Sequence, residues 1–109
     1  MLTQASALGL TLLVEAPIVM LASGGAPRGL AWRIAAAFLP SCLTHPLAWH
    51  AAGNFSAQDY MIGLCLIELI VVMVEMLLLR LLTGLRWRAV LLISIAANTA
   101  STLTGLALT

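Results

Sequence analysis

The chain has 109 residues, of which 62% are apolar and 8% charged, with a formal net charge of +1; ordinary soluble domains are about 45–50% apolar and about 25% charged. Too few polar side chains exist to cover a water-facing surface, which excludes an ordinary soluble domain. Five Arg and no Lys form no basic patch of the kind that binds nucleic acid, so the expected surroundings are the lipid bilayer.

A bilayer core of about 30 Å needs roughly 20 apolar residues per helix. Four runs of that kind occur, at about 3–22, 30–49, 60–82 and 87–108. They predict an all-α, polytopic membrane protein: a single domain built as a four-transmembrane-helix bundle. The first run contains Glu15 and Pro17 and has no basic segment before it, so it reads as a retained span rather than a signal peptide. "SGGAPRG" (Ser23 to Gly29) breaks the chain before the second run. That run carries "PSCLTHP" (Pro40 to Pro46), where the two prolines free the carbonyls of Ala36 and Cys42. A locally broken helix presenting Ser41, Thr44 and His45 is expected there, lining a polar cavity or kinked for packing.

"HAAGNFSAQD" (His50 to Asp59) is the one polar stretch of any length and separates the second and third runs. The third run holds Cys65, Glu68 and Glu75; the two Glu are seven apart and so share a helix face. After the tight turn "TGLR" (Thr83 to Arg86), the fourth run carries Ser94, Asn98, Ser101 and Gly105, a stripe of small and polar residues suited to close helix contact.

The pentapeptides "GLAWR" (Gly29 to Arg33) and "GLRWR" (Gly84 to Arg88) nearly repeat each other. Arg28 and Arg33 flank the first joint, Arg80, Arg86 and Arg88 flank the third, and no Arg lies near the second. Because positive loops stay in the cytoplasm, both termini and the His50 to Asp59 joint are expected on the outer side. In each pentapeptide Gly is expected to make the turn, Trp32 or Trp87 to sit among the headgroups, and Arg to hold phosphates. The repetition reads as one interfacial solution used twice, or as a duplicated hairpin.

Ionisable groups within a span cost roughly 2.5–3.5 kcal/mol each on insertion scales and are functional candidates by default. Here they are Glu15, His45, Glu68 and Glu75, joined by Asn98. If the third and fourth helices meet through their polar faces, these five form a ladder across the bundle, either as a ligand-binding line or as groups each satisfied by a neighbour. Cys42, His45, Cys65 and Glu68 lie at similar depth and could hold a metal ion such as zinc or copper; the alternative is two small apolar Cys and a hydrogen-bonded His. His45 or His50 could also serve as an axial ligand to a haem or pigment. No nucleophile elbow, zinc-protease motif, P-loop or dinucleotide fingerprint is present, so no enzymatic activity is expected, although His45 as base with a Glu as acid is conceivable.

"EAP" in the first run, "THP" in the second, two Glu in the third and "WRAVLLISIAANTASTLTG" (Trp87 to Gly105) resemble a group of small bacterial integral membrane proteins without a settled function. The resemblance implies a four-helix protein of the bacterial inner membrane. In length, helix count and a first-helix Glu, here Glu15, the chain also resembles small multidrug resistance transporters, but its Glu-rich third helix departs from theirs. Two functions are expected: a small transporter whose ladder binds and passes a cation, proton or metal, as a homodimer; or a non-catalytic subunit of a larger membrane complex, with its polar groups paired to partner helices or a pigment.

Overall fold

The computed structural model describes residues 3–108; Met1, Leu2 and Thr109, the ends assigned above to the outer side, fall outside them. Four α-helices follow one another: α1 (Gln4–Ala22), α2 (Leu30–Ala52), α3 (Tyr60–Thr83) and α4 (Trp87–Ala107). α1 opens on a capping box in which Thr3 Oγ1 accepts from the Ser6 amide at 3.1 Å and Ser6 Oγ accepts from the Thr3 amide at 3.3 Å. The two contacts satisfy orphan donors that a helix N-terminus otherwise leaves open. α2 ends at Ala52, three residues past the expected end at Trp49, because no breaker intervenes before Gly53. It is also unbroken. Pro40 and Pro46 both lie inside continuous helix, which corrects the expectation of a locally broken segment.

The helices form a ring in which α1 packs on α2, α2 on α3, α3 on α4 and α4 on α1, with neither diagonal pair in contact. The bundle measures 44 × 23 × 20 Å. Its apolar core is offset toward the end that carries the arginines: Ala16 and Val19, Ala36 and Ala37, Leu79, and Val90, Ile93 and Ala97 pack together there. Half of these are alanine, which lets the backbones approach closely.

The large apolar side chains point outward. Leu13, Leu21, Leu47 and Leu92 are 66–84% exposed, while Glu15, Glu75 and Asn98 are each 3% exposed. This inside-out distribution suits hydrocarbon surroundings and not water. α1, α3 and α4 are long and apolar enough to cross a membrane. α2 has sufficient length, at 23 residues, but Arg33, His45, His50 and the prolines dilute its apolar character, so it departs from the expectation of four equivalent runs.

The repeated pentapeptides do different jobs. Gly29 is the N-cap of α2, whereas Gly84 closes α3 with φ 74° and Arg86 is the N-cap of α4. The two Trp consequently enter their helices at different positions, Trp32 as the third residue of α2 and Trp87 as the first of α4. Two arginines bond to the protein itself. Arg33 donates to Met20 O at 2.6 Å and Ser23 Oγ at 3.3 Å, closing the end of α1. Arg80 donates to Gly84 O at 3.1 Å and Leu85 O at 2.6 Å and lies over the Trp87 ring. Cations suit these positions because the carbonyls at a helix C-terminus carry partial negative charge. Arg28, stacked on Trp32, and Arg86 and Arg88 remain exposed.

Candidate functional site

Beyond the apolar core polar groups are set into a largely apolar wall, and they are divided between the two diagonals of the ring. α1 and α3 supply carboxyls; α2 and α4 supply donors. Glu15 of α1 accepts from Ser41 Oγ of α2 at 2.8 Å on one oxygen and from Ser101 Oγ of α4 at 2.6 Å on the other. Glu75 of α3 accepts from Thr44 Oγ1 of α2 at 2.9 Å and from Asn98 Nδ2 of α4 at 2.5 Å. Each deep carboxyl therefore ties its own helix to both neighbours and links α2 to α4, which do not touch.

The sequence permits this because Ser41 and Thr44 are three apart on α2, and Ser94, Asn98 and Ser101 follow four- and three-residue steps on α4, so each set occupies one face. Asn98 Nδ2 also reaches Ser94 O at 2.9 Å, and Ser94 Oγ donates across to Val72 O of α3 at 2.9 Å. All five arginines belong to the opposite half of the bundle or its joints. Neutral donors alone meet the carboxyls among the described residues.

Glu68 lies on the same face of α3 as Glu75 and accepts from Thr102 Oγ1 at 2.8 Å through one oxygen. Its other oxygen is buried without a partner, and so is Nδ1 of His45. The His45 ring stacks on Trp49 at 6.0 Å between centroids. Buried polar atoms without partners are uncommon and point to something the site takes up, such as water or a ligand.

Both orphaned groups line one cavity of about 200 Å³. It runs from Ala52, Tyr60 and Leu106, beside the 53–59 joint, to Glu15, Ser41, Glu75 and Asn98, a depth of about 22 Å at 1.5 Å of rise per residue along α3. There it stops against the apolar core. The joint itself is fixed on α3 where Phe55 lies over Gly63, at a point where a Cβ would overlap the ring.

The structure thus brings Glu15, His45, Glu68, Glu75 and Asn98 to one cavity. It does not assemble the metal set of Cys42, His45, Cys65 and Glu68. Both thiols are exposed on the outside of the bundle, and no group of three or more His, Cys, Asp and Glu among the described residues could hold a metal ion. The physical reason is rotation about the axis: Cys42 is one residue, or about 100°, beyond the inward Ser41. His50 is exposed at the end of α2 and does not line the cavity. Thr102, Trp49 and Tyr60 are lining residues that the sequence reading missed; Thr102 was detectable, standing four residues beyond Asn98 on the same face. Comparison of the chain with protein-family models, with curated proteins and with solved structures gives no match.

Proposed function

We propose that the chain is a small integral membrane transporter that binds a cation in this cavity and passes it across the bilayer. All four helices span, both ends and the 53–59 joint face outward, and the setting is a bacterial inner membrane. The single observation that carries the reading is the convergence of three carboxyls, Glu15, Glu68 and Glu75, on one cavity, with neutral hydrogen-bond donors and, among the described residues, no arginine to balance them. A purely structural set of acids is an expensive way to join helices, because Ser, Thr and Asn alone would do so.

In this reading Glu68 and His45 form the outer station and Glu15, Glu75 and Asn98 the inner one. The apolar core below the inner station blocks the path, so passage requires it to open, and a homodimer gives four short helices a second wall against which to do so. The test is flux in liposomes containing purified protein. Wild-type protein is expected to carry a cation current that Glu68→Gln and Glu75→Gln reduce at least tenfold. No flux, together with a chain that is unstable until a partner or chromophore is supplied, would overturn transport and assign the protein to a larger membrane complex.

A further inference from the structure

The cations open to such a site differ in what they ask of their ligands, and the hydrogen-bond geometry of the two deep carboxyls discriminates among them. A hydroxyl has one proton to donate and a carbonyl oxygen can only accept. Thr44 Oγ1 lies 2.9 Å from Pro40 O and 2.9 Å from Glu75 Oε1. Both contacts are hydrogen bonds at once only when Glu75 is a neutral acid that donates to Thr44 Oγ1, which in turn donates to Pro40 O. When Glu75 is charged, the hydroxyl turns its proton to the carboxylate instead. Ser101 Oγ repeats the arrangement, at 2.6 Å from Glu15 Oε2 and 3.1 Å from Asn98 O.

The second oxygen of each carboxyl is treated differently. Glu75 Oε2 faces the Asn98 amide nitrogen, which can only donate. Glu15 Oε1 faces Ser41 Oγ, whose only side-chain contact is that carboxyl. Glu75 thus has one oxygen held as an acceptor by Asn98 and one facing a reversible hydroxyl, while Glu15 faces a hydroxyl on each oxygen, of which Ser101 also has a helix carbonyl to turn to. A metal ion needs several ligands converging on one point, and no group of three or more His, Cys, Asp and Glu among the described residues is placed to hold one.

We propose that the species taken up at the deep carboxyls is the proton, seated on Glu75 Oε1 and Glu15 Oε2, with Thr44 and Ser101 as positioning hydroxyls that reverse as it arrives and leaves. This rests on the transport reading for its direction of travel only. In the step itself a hydronium in the cavity gives its proton to the carboxylate, leaving water and a carboxylic acid. The hydroxyl rotates about its C–O bond from the carboxylate to the helix carbonyl, and no other bond changes. The titratable groups facing Glu75 are Glu15 from α1, His45 from α2 and Glu68 from its own helix, while α4 presents Asn98, Ser101 and Thr102. His45 Nδ1 and Glu68 Oε1, both without partners, stand on the way in.

Infrared difference spectroscopy across a pH titration, with protein in lipid discs, reads the neutral carboxyl bands directly and needs no transport. Glu75→Gln is expected to remove one band, Thr44→Val to shift that band, and Thr44→Ser to leave it in place; Ser101→Ala is expected to shift the Glu15 band in the same way and serves if Thr44→Val does not fold. In liposomes Thr44→Val is expected to lower proton flux at least tenfold and Thr44→Ser less than threefold. Bands indifferent to Thr44→Val and Ser101→Ala in folded protein overturn the proposal. So does wild-type flux of alkali or divalent ions without protons, which leaves transport standing; bands that respond as stated in a protein without flux uphold the proton assignment and remove transport.

Discussion

Asn98 is the residue on which the α3 to α4 contact is most exposed to a clean test. Its amide nitrogen donates to Glu75 at 2.5 Å and to Ser94 O at 2.9 Å, and the residue is 3% exposed. Asn98→Ala removes both bonds and leaves Glu75 Oε2 with no donor in a place water reaches only through the cavity. Interhelical hydrogen bonds within membranes average only about 0.6 kcal/mol, with about 1.7 as the upper end. Leaving a buried acceptor unsatisfied costs about 1–3 kcal/mol. The second effect dominates because the carboxyl stays behind, so Asn98→Ala is expected to lower unfolding free energy by about 1–3 kcal/mol. The double variant with Glu75→Ala removes the orphan, and the pair should show a coupling energy of at least about 0.6 kcal/mol. Reversible denaturation of the four proteins of the cycle in lipid discs provides the numbers. Additive losses, with coupling inside the measurement error, would show that Asn98 acts through packing alone and would refute the reasoning.

Gly84→Ala is expected to destabilise by about 1–2 kcal/mol, since φ is 74° and the new Cβ would come within 3.0 Å of Pro27 Cγ; thermal unfolding in detergent reads the loss. Gly63→Ala should displace Phe55 and raise amide exchange across the 53–59 joint, and the double variant with Phe55→Ala should relieve the overlap. Arg33→Gln loses charge-assisted bonds to Met20 O and Ser23 and is expected to cost about 1.5–3 kcal/mol by the same unfolding measurement. Nitroxides attached at the exposed Cys42 and Cys65 should relax faster with dissolved oxygen than with a water-soluble nickel complex in bilayers, and zinc should not protect either thiol from labelling; protection would restore the thiol metal site.

Hydropathy marked the four helices closely, because apolar length and Gly/Pro joints are local properties of a chain. The exception is the end of α2, where His50 suggested a polar joint although nothing at His50, Ala51 or Ala52 stops a helix. Relative faces were legible where two polar residues stood on one helix, as with Glu68 and Glu75 or Asn98 and Ser101. Absolute rotation was not. The same spacing rule that paired Cys42 with His45 is silent on which side of α2 meets its neighbours, and the answer comes from Ser41 and Thr44 bonding carboxyls on α1 and α3. The alternation of acids and donors between the diagonals could not be read at all, since it depends on which helices touch.

The lopsided interior has an electrical consequence. In the transport reading, with water filling the cavity, an applied potential would scarcely fall along it, and most of the drop would be compressed into the apolar plug of Ala36, Ala37, Leu79, Val90 and Ile93. A full membrane drop acts on one elementary charge with about 2.3 kcal/mol per 100 mV, and that work would then be concentrated in the short distance beyond Glu75. The proposed transporter would thereby act as a capacitor whose thin dielectric lies on its arginine side.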